Sequence, residues 1–228
     1  MKVTNFVVKS SEFTAYDIAA AYSALPDIKR QAADRISVPH KRAESVLAAY
    51  LCYFALLCGY TGDDLVLLSK GMLLDRLEDI TRFACDSGWP VGEGGKPFPD
   101  GAAAGGGVRH ISISHSGGYA LAAVSDRPVG ADVQVIPDNP DRLIRIAGRF
   151  HPEERAWIES VSAKNLPERF CRLWVSKESA MKLCGKGFGL SLSSFCILPG
   201  RCFLDGKPVE IAVKKIDNAY LANAQYIE

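Results

Sequence analysis

The chain has 228 residues, 48% hydrophobic and 23% charged, with 27 Lys and Arg against 26 Asp and Glu for a net charge of +1. This is the composition of a globular protein with a real core, as one large domain or two lobes, and it excludes the broad basic field of a nucleic-acid binder. No run spans a bilayer, and the opening MKVTNFVVKSSEFTAYD meets Ser, Glu and Asp too soon for a signal sequence, so a soluble cytoplasmic protein without membrane partners is expected.

Seven cysteines, at 52, 58, 85, 171, 184, 196 and 202, form no CxxC pair. An odd, scattered set is a poor disulfide framework, so they read as reduced core thiols. The four histidines, at 40, 110, 115 and 151, lack zinc-ligand spacing from them.

Val3 to Val8 predicts a first strand, and Tyr16 to Leu25 a short helix closed by Pro26. Between Ile28 and Ala43 come Lys29, Arg30, Arg35, Lys41 and Arg42, leading into the apolar helix Ser45 to Cys58. Cations ahead of a buried helix can hold an anion at its start, or can be a solvated face. Gly71 to Cys85 reads as helix. Gly88 to Gly107 is a glycine- and proline-rich loop system carrying Gly94-Gly95-Lys96-Pro97-Phe98, which is not a Walker A loop because no Ser or Thr follows the lysine.

From Val108 the pattern becomes strand, with Ile111 and Ile113 alternating with Ser112 and Ser114, and resumes at Tyr119 to Val124. The expectation is a hairpin with Ser114, His115 and Ser116 at its turn, a cluster that suits a phosphate. Without a GxSxG elbow, a serine hydrolase is not indicated.

Val129 to Ile136 is the next strand, and alternation puts Asp132 and Gln134 on one face. An acid within a β-branched strand requires a cation or metal if buried, for which oxygen ligands suit magnesium; otherwise this is an edge strand with a wet face. Arg142 to Arg149 is a short cationic helix, and Pro152-Glu153-Glu154 begins another. Glu168 to Gly185 is a longer helix on which Trp174, Glu178 and Lys182 recur at i, i+4, i+8, with Lys177 beside Glu178 and Lys186 beyond the glycine stop. Cations flanking one acid suit a phosphorylated ligand, although a solvated amphipathic helix has the same pattern. Phe195 to Leu198, Val209 to Val213 and Tyr220 to Tyr226 read as strands, with a turn at Asp205-Gly206. Residues 118 to 123 and 218 to 224 echo each other weakly, which hints at two lobes of similar build.

Taken in order, GGKPFPDG (94 to 101), ISISHSGGYALAAV (111 to 124), VGADVQ (129 to 134), FHPEE (150 to 154) and WVSKESAMKLCGKG (174 to 187) resemble the 4'-phosphopantetheinyl transferases, in their two-lobed, Sfp-type branch. The resemblance is strong over roughly residues 88 to 200 and loose elsewhere. It implies an α+β fold of two similar lobes related by a pseudo-two-fold axis, each a small sheet packed with helices. The lobes would divide as 1–127, with the coenzyme A phosphate contacts, and 128–228, with the metal and catalytic residues. Coenzyme A would bind between them, with Mg2+ on its pyrophosphate. Because one chain supplies both halves of that cleft, a monomer is expected.

Carried over by position, the resemblance implies that Lys96 and Pro97 line the coenzyme A site and that Ser114 and His115 contact its phosphates. Lys177 or Lys182 would reach the pyrophosphate, and Lys41 and Arg42 would add further phosphate contacts. Asp132, Gln134 and Glu178 would hold the metal, with Glu178, Lys182 and Asp132 as the catalytic set; Glu154 matches a family acid that could simply cap its helix. Relatives commonly carry Glu at the position of Gln134, so one negative charge is lost here. The implied activity is transfer of 4'-phosphopantetheine from coenzyme A to a serine of an acyl or peptidyl carrier protein. One rival is a different magnesium-dependent phosphotransferase or hydrolase, which lacks support because no Walker loop or acid-rich two-metal cluster is present. The other is a catalytically weakened coenzyme A or carrier-binding module, favoured only by Gln134.

Overall fold

The computed structural model describes residues 2–59, 61–89, 110–186, 189–198 and 202–227. The chain divides into two compact units, Met1–Val129 and Gly130–Glu228. Each contains one four-stranded sheet with a long helix against it, the mixed α+β architecture expected. Among the described residues no helix is long and apolar enough to cross a membrane.

In the first unit the elements are β1 (Val3–Lys9), α1 (Ala15–Ser23), α2 (Asp27–Asp34), α3 (Pro39–Cys58), β2 (Leu65–Leu67), α4 (Lys70–Leu74), α5 (Leu77–Ser87), β3 (His110–Ser116) and β4 (Tyr119–Ser125). The sheet order is β2-β1-β4-β3, with β2 parallel to β1 and the other pairs antiparallel. Strand β4 is rich in alanine, and these small side chains let α3 lie close, so that Leu47, Tyr50, Leu51 and Phe54 join Ala120, Ala122 and Val124 in one core. Phe6 of β1 meets Phe54 edge-on, ring centres 5.7 Å apart.

The hairpin differs from the expected one. Gly117 and Gly118 form its turn, with φ of 53° and 95°, a left-handed backbone that glycine adopts without steric cost. Ser114, His115 and Ser116 therefore lie in β3, opposite Leu121, Ala120 and Tyr119. The expected helix at 71–85 is two helices, and the short strand β2 was not anticipated, because three residues show no alternation.

The second unit comprises β5 (Gly130–Val135), α6 (Pro140–Ala147), α7 (Pro152–Glu159), α8 (Leu166–Cys184), β6 (Phe203–Leu204), β7 (Lys207–Ile216) and β8 (Ala219–Tyr226). Its sheet, β5-β8-β7-β6, is antiparallel throughout. Helix α8 ends, as its glycine predicts, at Gly185 in the left-handed conformation. Phe150, Phe170 and Trp174 stack with centroids 5.8 to 6.0 Å apart and anchor α8 in an apolar cluster with α6 and α7. The sequence echo falls on β4 and β8, each an inner strand of its sheet. Phe195 to Leu198 is not a strand; two of its backbone groups serve a buried ion pair instead.

Candidate functional site

Gly130 opens β5 where it crosses α8, and two residues on, Asp132 is buried with 6% exposure. Strand β5 is indeed at a sheet edge, but the wet-face alternative does not hold for this acid. Lys182 Nζ lies 2.7 Å from Asp132 Oδ1, and the lysine side chain remains partly open to solvent. One helical turn earlier Glu178 is half-buried, and its Oε1 is enclosed with no hydrogen-bond partner among the described residues. Burial pushes the Glu178 carboxyl above its ordinary range, the Asp132 charge adds to this and Lys182 opposes it. Strand alternation and helical i, i+4 spacing thus bring Asp132, Glu178 and Lys182 together as expected.

Gln134 is on the same face of β5, half-buried, and its Nε2 donates to the Val135 carbonyl at 3.0 Å. Its own backbone carbonyl accepts from the Cys171 thiol at 3.2 Å. Among the described residues no three His, Cys, Asp or Glu side chains gather as a metal cluster. The oxygen donors present are two carboxylates and one amide, a set suited to a hard divalent ion that keeps some of its waters. The enclosed Glu178 oxygen is the atom such an ion would satisfy, so the residues fit magnesium.

Lys177 is placed differently from the expectation. It is fully buried, its Nζ 2.7 Å from Glu154 Oε2 and 2.9 Å from the Phe195 carbonyl, and 3.8 Å from the centre of the Phe195 ring. Burial lowers its proton affinity, while Glu154 opposes that shift. An ammonium enclosed in this way cannot be presented to a pyrophosphate, whereas the Lys182 side chain is partly open. Glu154 caps α7 through the His151 N–H, as a capping acid would, but it also accepts from Lys177 and, at 2.8 Å, from the Ile197 N–H. Sequence spacing carried no sign of this pair, whose partners are 23 residues apart. Trp174 turns into the aromatic stack, and Lys186 pairs with Asp205.

In the first unit Ser114 is buried and His115 is exposed, as neighbours on a strand face opposite ways. His115 Nδ1 lies 3.4 Å from Oε2 of Glu44, a buried acid of α3 that the sequence reading did not single out. Lys41 and Arg42 are exposed in the first turns of α3, and Arg42 pairs with Asp34 and stands over the Tyr22 ring. Lys96 and Pro97 lie outside the described residues.

Residues 128–211 match the family model of the 4'-phosphopantetheinyl transferase superfamily. This stretch holds Asp132, Gln134, Glu154, Lys177, Glu178 and Lys182. The chain is 37% identical over 106 residues to the 4'-phosphopantetheinyl transferase gsp of Aneurinibacillus migulanus, a match covering 46% of this chain and 41% of that one. It is 35% identical over 112 residues to a 4'-phosphopantetheinyl transferase of Bacillus subtilis, covering 47% and 45%. With the 4'-phosphopantetheinyl transferase Sfp of Bacillus subtilis (strain 168) it shares 37% over 91 residues, covering 39% and 38%. The matches thus span less than half the length of these relatives. The similarity to the 4'-phosphopantetheinyl transferase superfamily thus lies in residues 128–211, the stretch that contains the acid–lysine site.

Proposed function

We propose that the protein transfers the 4'-phosphopantetheine group of coenzyme A to a serine of an acyl or peptidyl carrier protein and releases adenosine 3',5'-bisphosphate. The observation that carries this reading is the enclosed Glu178 carboxylate oxygen beside the Asp132–Lys182 pair, in the stretch that matches the family. Asp132, Gln134 and Glu178 would hold magnesium, which when bound supplies counter-charge for the pyrophosphate.

The serine oxygen forms a bond to the β-phosphorus of coenzyme A, and the bond from that phosphorus to the bridging oxygen breaks. Glu178, with its raised proton affinity, takes the serine proton. Lys182, held by Asp132 but still partly open, sets a positive charge against the leaving bisphosphate. His115 contacts a phosphate of coenzyme A, with Lys41 and Arg42 in the first turns of α3, the helix that carries Glu44. On α6 and just beyond it, Arg142, Arg145 and Arg149 are exposed and make no ion pair among the described residues, and they receive the acidic carrier. The same reading makes the protein a cytoplasmic monomer.

The deciding experiment is the intact mass of an apo carrier protein after incubation with the protein, coenzyme A and magnesium. A gain of one phosphopantetheine, lost with Glu178→Gln, supports transfer. Coenzyme A binding without any gain on several carriers sinks it and favours a binding module, for which the charge missing at Gln134 is the motivating feature.

A further inference from the structure

Glu44 is the single charged side chain between Ala43 and Leu57, on a helix that otherwise buries apolar residues, and it is itself buried. A carboxylate in that position is costly without partners. Among the described residues it has two, one in the hairpin turn and one on β3: the Gly118 N–H donates to Oε1 at 2.7 Å, and His115 Nδ1 lies 3.4 Å from Oε2. The Ser10 N–H fixes the same turn by donating to the Gly118 carbonyl at 2.7 Å. The imidazole's other edge is turned away from the buried acid, and 36% of its side chain is exposed. The start of α3 lies five residues before Glu44, roughly 7.5 Å along the axis. It has no side-chain cap and no acid in its first turn, which carries His40 and Lys41. The first turn of the helix that holds Glu44 thus carries positive charge and backbone N–H groups outside the intrahelical ladder.

We propose that Glu44 is a positioning residue for anion binding: it holds the Nδ1–H edge of His115 and the hairpin tip together, so that Nε2 is the atom offered to a phosphate of the ligand. This rests on the reading of His115 as a coenzyme A phosphate contact. A phosphate oxygen needs a donor, which Nε2 supplies when the ring is protonated there. The resulting imidazolium donates to the phosphate at Nε2 and to Glu44 at Nδ1. On the adjoining strand its partner in register is the uncharged Ala120.

The test has two arms. In the unliganded protein at about pH 8, where an ordinary imidazole is neutral, nitrogen NMR of the His115 ring should show the proton on Nδ1. Glu44→Gln, whose single carbonyl cannot serve both donors, should shift it toward Nε2. A wild-type ring protonated on Nε2 overturns the proposal without recourse to a variant. In calorimetry with coenzyme A, Glu44→Gln should weaken binding about tenfold, the scale of one charge-assisted hydrogen bond. Glu44→Gln with His115→Ala should bind no more weakly than His115→Ala alone. Unchanged binding by Glu44→Gln, or losses that add, overturns the role of Glu44 while leaving the coenzyme A reading intact. If His115→Ala binds coenzyme A as tightly as wild type, the phosphate role of His115 fails and the proposal fails with it.

Discussion

A β-carbon on Gly130 would come within 1.9 Å of the Ser179 carbonyl oxygen and 2.3 Å of the Leu183 N, so β5 and α8 touch backbone to backbone at this point. This contact sets the distance from which Asp132 faces Glu178 and Lys182. Backbone atoms cannot rotate aside as a side-chain tip can. Gly130→Ala should destabilise the protein by about 3 kcal/mol, the upper end of ordinary overpacking. Urea unfolding checks this, and a midpoint within error of wild type would show that the strand can retreat from the helix.

The Lys177–Glu154 pair gives a second prediction. Both side chains are fully buried. Removing one partner leaves the other as an uncompensated charge, so Lys177→Met should cost about 4 kcal/mol. Adding Glu154→Gln should recover part of that loss, because the orphaned charge is then gone. If the single and double variants unfold at the same denaturant concentration, the pair is not coupled in the way the geometry implies.

What the sequence revealed follows the reach of its periodicities. Asp132, Glu178 and Lys182 were legible because alternation in β5 and the i, i+4 repeat in α8 are local rules, and one glycine fixes where the two elements meet. Lys177 was not, because whether an ammonium faces solvent or a buried acid depends on Glu154 and on the carbonyl of Phe195, neither within a helical turn. The same pair explains the strand expected at 195 to 198, where the Ile197 N–H goes to Glu154 rather than to a ladder. The hairpin tip was readable from Gly117-Gly118, a dipeptide suited to a two-residue turn, but the hydroxyls beside it drew the turn to the wrong residues. Glu44 could have been found by asking why one acid interrupts an apolar helix.

Gln134 offers two effects of opposite sign. Gln134→Glu adds a carboxylate on the face of β5 that already carries Asp132. Magnesium affinity should rise, by about tenfold for one added hard anionic ligand, as read in a direct magnesium titration. Without metal the same variant should be less stable than wild type, since like charges then face each other. No gain in affinity would mean that residue 134 does not contribute to a metal site.

The Asp17 side chain gives a pH dependence. It accepts from the Thr14 hydroxyl and N–H at the start of α1, and Lys70 lies 3.2 Å away. The Thr14 hydrogen bonds, aided by Lys70, hold its carboxyl below the ordinary value. A depressed folded value means that the unfolded chain binds protons first as pH falls. The stabilisation is therefore complete above the ordinary carboxylate range and is lost as pH drops through the lower, folded value. Asp17→Asn should flatten that part of the acid stability curve; a curve that still tracks wild type would assign the loss to other acids.

The arginines proposed to receive the carrier can be tested without touching the acid–lysine site. Arg142 and Arg145 are exposed on α6, whose buried side holds Leu143 and Ala147, and Arg149 follows two residues after the helix ends. Reversing all three to Glu leaves that buried side unchanged, so the fold and coenzyme A binding should survive. An acidic carrier approaching a positive patch gains mainly in encounter rate and orientation, and this gain is screened by salt. The apparent KM for the carrier should therefore rise about tenfold at low ionic strength, with kcat largely kept, and the difference from wild type should shrink as salt is added. A change in kcat alone would place these side chains in the chemistry rather than at a docking surface, and an unchanged KM at low salt would remove α6 as the carrier's landing site.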